Sequence, residues 1–252
     1  MTSKPFVDRM RRTFIGIAGS VLAVVALAAQ PHVAVGQATG SPLKIGIVGA
    51  GREGSALGTL FVKAGHPVTF SSRHPEELKG LVAGLGPLAK AGTVEEAIAF
   101  GDVVLIVIPY AAMEQIGKAH AGALAQKVLV MDVSNPIARR DGEDFVKSVN
   151  DQGGAGLMTA KLLPGAHIVR AFNAIGAGRL AELAHRTGDP AGVPIAGDDP
   201  KAIEVAQSLI REIGFEPVLV GGLAMGKHLV PGTPLAGEHT PAQIRQIAGT
   251  LH

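Results

Sequence analysis

The chain of 252 residues has no cysteine and no tryptophan, and its aromatic content is one tyrosine and eight phenylalanines. Without cysteine there are no disulfides, no thiolate ligands and no cysteine nucleophile, and an oxidising compartment poses no hazard. Tyr110 and a few phenylalanines offer little for stacking bases. An excess of positive charge is also missing. Taking the four Lys/Arg and one Asp of the first 38 residues from the 23 basic and 21 acidic residues of the chain leaves 19 basic and 20 acidic. Nucleic acid is therefore not an expected partner. None of the nine histidines forms a close H-x-x-H or H-E-x-x-H pair, so no metal is expected. His66 reads as part of a helix-to-strand turn, and His228 and His239 as solvated loop histidines.

A long membrane-spanning run is lacking too. Met1 to Arg12 carries Lys4, Arg9, Arg11 and Arg12, and the apolar run from Phe14 to Ala29 is shorter than the ~20 residues that span a bilayer comfortably. Residues 1–38 read as a signal peptide cleaved after Ala38, which leaves no stable membrane anchor; retention as an uncleaved anchor is the alternative. Arg11-Arg12-Thr13-Phe14-Ile15 resembles a bacterial twin-arginine signal, a route for folded proteins, with an ordinary secretory signal as the other reading. The expected location is the periplasm. Residues 39–252 suit one α/β domain.

What the chain does have begins at Lys44. Lys44 to Val48 predicts a buried parallel strand, and the turn Gly49-Ala50-Gly51-Arg52-Glu53-Gly54 has the spacing G-x-G-x-x-G. In that pattern the first glycine makes a tight turn, the second admits a pyrophosphate, and the third lets helix and strand pack closely. The following helix, about Arg52 to Ala64 with Gly65 as C-cap, points its N–H groups and positive dipole end at the phosphates. Pro67 to Phe70 completes the βαβ unit. NAD-binding enzymes place an Asp or Glu just beyond that second strand. Here Ser71, Ser72 and Arg73 stand instead, donors suited to a 2′-phosphate, so NADP(H) is the expected cofactor.

Further alternation predicts a doubly wound parallel sheet, the Rossmann NAD(P)-binding fold. Helix is expected from Pro75 to Leu81, strand at Leu88 to Ala91, and helix after the capping box Thr93-Val94-Glu95-Glu96. Val103 to Ile108 and Lys127 to Asp132 read as strands around a helix from Met113 to Ala125. Their ends place Pro109, Tyr110, Ser134 and Asn135 over the cofactor. His167 to Phe172, Val193 to Gly197 and Glu216 to Val220 read as strands, with helices at Gly176 to Ala184 and Pro200 to Ile213, the latter capped by Asp198-Asp199-Pro200. Gly153 to Gly156 reads as a plain loop or a mobile lid.

Several ordered motifs together carry a resemblance. They are the glycine turn with Ser-Ser-Arg-His-Pro, Val107-Ile108-Pro109, A-H-I-V-R-A-F-N-A-I from Ala166 to Ile175, V-P-I-A-G-D-D from Val193 to Asp199, and Gly214 to Leu223. Across nearly all of residues 39–252 the chain resembles NADP oxidoreductases of the deazaflavin-dependent (coenzyme F-420) type, related to the cytoplasmic domain of the six-transmembrane epithelial antigen ferric reductases. The resemblance implies NADPH along the first half, Ile108 and the Pro109 and Ser134-Asn135 loops near its nicotinamide, and a flavin-like acceptor (FAD, FMN or coenzyme F-420) at Phe172, Asn173 and Ala174. Asn173 would orient the rings, or else cap the next helix. Hydride transfer between rings needs positioning and dryness more than an acid or base, so no catalytic dyad is assigned.

Two features depart from that family. Arg52 and Glu53 place charges in the glycine turn, and the polar tail after Leu229 lacks the long helices on which related imine reductases dimerise, although a homodimer is left open. Two other functions stay in play: a catalytically silent NADP(H)-binding sensor or partner protein, and a small imine or carbonyl reductase, which needs an acid that no motif supplies.

Overall fold

The computed structural model describes residues 41–251; the expected leader at residues 1–38 lies outside them. The buried strand β1 (Ile45–Val48) feeds α1 (Arg52–Lys63), which turns Leu57, Phe61 and Val62 inward. Gly65, at φ +96°, ends that helix just past its C-cap. The Gly65 N–H reaches Val62 O and the His66 N–H reaches Phe61 O, both at 3.0 Å, so the last carbonyls are satisfied. His66 is then held by ring hydrogen bonds to Leu43 O (3.0 Å) and Glu212 Oε2 (2.8 Å).

Next come β2 (Val68–Ser71), α2 (Lys79–Leu85), β3 (Ala89–Gly92), α3 (Val94–Phe100) and β4 (Val103–Ile106). α3 starts with the expected reciprocal capping box between Thr93 and Glu96. A 3-10 turn at Tyr110–Ala112 leads into α4 (Met113–Leu124), followed by β5 (Leu129–Asp132). Three helices then separate β5 from the next strand: α5 (Ala138–Asp141), α6 (Glu143–Asp151) and α7 (Ala155–Leu162). Gly153 and Gly154, at φ +92° and +91°, form the turn into α7, which already includes Ala155 and Gly156, so the expected loop is two residues long. A Cβ on Gly156 would stand 2.0 Å from Leu223 O, which shows how closely α7 packs.

The second half contributes β6 (Ile168–Arg170), α8 (Ala177–Leu183), β7 (Gly192–Gly197), α9 (Pro200–Glu212), β8 (Glu216–Gly221) and α10 (Pro241–Ala248). The eight strands form one sheet in the order β3-β2-β1-β4-β5-β6-β7-β8. The first six are parallel in the doubly wound arrangement, but β7 is antiparallel to β6 and parallel to β8. The wholly parallel sheet expected from the alternation is thus a mostly parallel one. Only the seven-residue α8 lies between β6 and β7, and β7 starts at the end of the sheet where β6 finished.

Side chains alternate across the sheet as strand geometry requires. Ile45, Ile47, Val103, Leu105 and Met131 join one apolar layer with α1 and α9, while Val48, Val104, Ile106 and Val130 join another with α3 and α4. The tail forms a third cluster, in which Ile244 of α10 packs with Ala196 and Val218. α10 was not expected from the polar tail, although Thr240 and Gln243 form a capping box with Pro241 in the first turn. Among the described residues no helix is long and apolar enough to cross a membrane.

The α3 cap can be tested alone because Thr93 is exposed. Thr93→Ala should cost about 1 kcal/mol, lowering the midpoint of thermal unfolding by roughly 2–4 °C. Thr93→Ser should restore most of that loss in the same melting experiment.

Candidate active site

The glycine turn sits at the C-terminal end of β1, where a doubly wound sheet opens its crevice. Gly49 has φ +102°, and a Cβ there would come within 2.3 Å of Val107 O. A Cβ on Gly54 would stand 2.1 Å from Gly49 O, so helix and turn touch through bare backbone. Gly51 differs: a Cβ there meets nothing within 4 Å, and the residue N-caps α1 with no side-chain cap. Open space over an uncapped twelve-residue helix fits a pyrophosphate. The Ala50 N–H donates to Ser71 O at 2.8 Å and clamps the turn to β2.

Gly51, Arg52, Glu53, Ile108, Pro109, Ser134, Asn135, Phe172 and Asn173, named from sequence at four separate places, all border one cavity of about 230 Å³. That volume is below the ~300–1,000 Å³ of pockets that bury a drug-sized ligand. A dinucleotide must therefore lie largely along the open strand ends, with only its reactive end in the cavity. Ser72 and Arg73 lie off the cavity, at the end of β2. Ala174 also lies off it, its carbonyl accepting the Gly237 N–H of the tail at 2.8 Å. Val107, Val133, Ile137, Arg140 and Ile175 border the cavity without having been anticipated. Arg140 follows no recognisable motif; its Nη2 donates to Asn135 O at 2.6 Å and to Asp141 Oδ2 at 2.8 Å.

Several named side chains are spent on holding the frame. Ser71 is fully buried, and its hydroxyl donates to Ile47 O at 2.8 Å, so of the three donors expected for a 2′-phosphate Ser72 and Arg73 are left to meet a ligand. The Ser134 hydroxyl accepts the Ile108 N–H and donates to Ile106 O, each at 3.2 Å, and ties β4 to β5. Tyr110 was expected over the cofactor, but its side chain turns into the core. Its hydroxyl donates to Ala155 O at 2.6 Å and meets Thr159 Oγ1 at 2.8 Å, and burial first, with Asp132 second, holds it protonated far above the usual range. Phe172 borders the cavity, yet its ring is 1% exposed and packs edge-on against Phe215 at 5.4 Å, which leaves no face for stacking. Its φ of +60° is an uncommon conformation for a bulky residue.

Beneath the cavity lies a buried ion pair. Asp132 Oδ2 accepts from Arg170 Nη1 and from Thr159 Oγ1 (2.8 Å), and Asp132 Oδ1 accepts the Ser134 N–H at 2.9 Å. Arg170 Nη2 also donates to Ser134 O at 3.0 Å and Asn135 Oδ1 at 3.3 Å. Asn173 Nδ2 donates to Asp132 O (3.1 Å) and Ser134 O (3.2 Å), and Asn135 Nδ2 donates to Asn173 O at 2.8 Å. Asn173 does not cap α8, whose N-cap is Gly176. Its buried Oδ1 has no partner within the protein, which leaves an acceptor at the cavity. Across the cavity, burial raises the Glu53 carboxyl to about 7 against the opposing effects of the Ala177 N–H and the Arg52 charge. Among the described residues no cluster of ligands could hold a metal ion.

Residues 44–136 match the family of coenzyme F420-dependent NADP oxidoreductases. This stretch also contains the glycine turn, the β2 end and the Ser134-Asn135 loop, so an NAD(P)-binding oxidoreductase domain builds this side of the site. A glycerol-3-phosphate dehydrogenase [NAD(P)+] of Trichlorobacter lovleyi is 30% identical over 104 residues, covering 36% of this chain and 31% of that protein. The chain thus spans about a third of the length of that curated relative. The hypothetical protein SMa0349 of Sinorhizobium meliloti is 27% identical, with a TM-score of 0.64 over 79% of this chain and 95% of that one. A protein of Arthrobacter sp. FB24, provisionally described as an F420-dependent NADP-reductase, has 20% identity and a TM-score of 0.63 over 73% of this chain and 87% of its own, which shows a shared fold. The family match ends at Pro136, short of Phe172 and Asn173.

The ion pair yields a direct test. Arg170→Met leaves the Asp132 charge buried and alone, which should cost about 3–5 kcal/mol in urea unfolding. Replacing Asp132 by Leu in the same chain should recover much of that loss, and a double variant no more stable than the single one would contradict this account.

Proposed function

We propose that this protein binds NADP(H) across the ends of β1, β2 and β4 and passes hydride to a flavin or deazaflavin ring held beside Asn135 and Asn173. The observation that carries the reading is the cavity joining the glycine turn to Asn135 and Asn173 at the strand ends, which would bring the reactive end of a bound nucleotide beside those two side chains. Bound NADPH supplies the hydride. The chain's residues supply placement: Gly51 and the start of α1 take the pyrophosphate, Ser72 and Arg73 the 2′-phosphate, and Asn173 Oδ1 a ring N–H. Ile108, Pro109 and Ile175 give the cavity apolar walls, which favour the transfer. The Arg11-Arg12 pattern supports export of the folded protein to the periplasm, which a twin-arginine route allows.

The purified protein, mixed in turn with NADPH and FAD, FMN or a deazaflavin, should consume NADPH with at least one of them. Tight NADPH binding without oxidation by any acceptor would favour the silent sensor, and oxidation by small imines or carbonyls alone would favour the reductase. Cofactor choice is tested separately. A hydrogen bond to a charged group contributes about 1.5–3 kcal/mol, so Arg73→Ala should weaken NADPH binding roughly ten- to a hundredfold while leaving NADH nearly unchanged. Equal losses for both nucleotides in a fluorescence titration would remove Arg73 from the 2′-phosphate site.

A further inference from the structure

We infer that Glu53 is the acid of this site, donating a proton to the acceptor as it receives hydride. Glu53 lies in the first turn of α1 and borders the same cavity as Asn135 and Asn173, and its Oε1 is buried without a hydrogen-bond partner. A carboxylate in that state is poorly solvated, whereas a neutral carboxylic acid can be held there and can donate. Its surroundings agree. Arg52 on its own turn and Arg140 across the cavity are cations, but Arg140 is engaged by Asp141 and Asn135 O. On α8, the Ala177 N–H favours the ionised form, while Arg179 pairs with Glu182 and Glu238. Burial outweighs these influences, and the carboxyl titrates near pH 7, where a general acid is most effective. A pyrophosphate on the adjacent turn adds negative charge and favours the protonated form further.

The step balances. Hydride leaves NADPH with its electron pair for one acceptor atom, giving NADP+, while the Glu53 O–H bond breaks and its proton joins the atom on which the displaced pair collects. The acceptor is reduced by two electrons, and the Glu53 carboxylate takes its proton back from water. The assignment rests on the hydride-transfer reading above. The same group would serve an imine or carbonyl acceptor, the chemistry for which no motif supplied an acid.

With the best acceptor, wild-type kcat should be level at low pH and fall as pH rises through a value above about 7, because kcat reports the nucleotide complex, in which the pyrophosphate has raised the carboxyl further. Glu53→Gln should lower kcat about a hundredfold or more and abolish that fall, while its NADPH affinity stays within about threefold of wild type and it melts as a folded protein. Glu53→Asp should keep the fall on a lower plateau. Infrared difference titration of the nucleotide-free protein, wild type minus Glu53→Gln, should show one carboxyl ionising near neutrality. An unchanged kcat profile in Glu53→Gln, an equal loss of NADPH affinity, or a carboxyl ionising near 4.5 overturns the assignment alone. Absence of wild-type turnover with every acceptor overturns both the assignment and the hydride-transfer reading.

Discussion

The buried pair of Asp132 and Arg170 holds the far side of the site together. Both side chains are fully buried, so each would be untenable without the other. Asp132 ends β5 and Arg170 ends β6, and the remaining hydrogen-bonding capacity of the pair reaches α7 through Thr159 and the loop after β5 through Ser134 and Asn135. Tyr110 joins through Thr159, so the exit of β4 is tied to the same centre. A buried ion pair is weak evidence for stability compared with apolar packing; here its hydrogen bonds tie the loop after β5 to β6 and α7.

The same bonding continues upward into the cavity. Asn173 takes two loop carbonyls, of Asp132 and Ser134, and Asn135 takes the Asn173 carbonyl in return. Phe172 can hold its left-handed backbone because its ring is clamped against Phe215 and the next residue is pinned by these bonds. The nucleotide side is built on a different principle. There, glycines at positions 49 and 54 bring backbone onto backbone, and position 51 leaves open space over the helix start. The glycine turn lies within residues 44–136, the stretch that matches the family model; the buried polar centre extends to residues beyond that match.

Much of this was legible in the sequence because local rules cause it. The glycine spacing, the Thr93 capping box, the Asp199-Pro200 helix start and most strands appear close to where the pattern puts them. What was not legible is mostly a matter of facing. At each strand end one residue turns inward and its neighbour outward, and the pattern does not say which carries the chemistry. Ser71, Tyr110 and Ser134 turned inward to hold backbone or fill the core, leaving Ser72, Pro109 and Asn135 to the cleft. The Asp132–Arg170 pairing spans 38 residues and has no local signature. The reversed direction of β7 depends on a connection whose path is set by packing. α10 did carry a signal, Thr240-Pro241 with Gln243, masked by the polar composition around it.

Glu53 was visible only as a residue out of place, a charge in a turn that must accept phosphates. The structure turns that anomaly into a consequence of position. α1 packs against α8, and the burial of Glu53 there makes a carboxylate unfavourable; the proposed hydride transfer calls for the same shelter. On the proposed reading, a proton on Glu53 and shelter for the acceptor are two results of one arrangement. A rearrangement that exposed Glu53 would lower the carboxyl toward its ordinary value and, on the proposed reading, would expose the transferring hydride as well, so acid strength and shielding would change together.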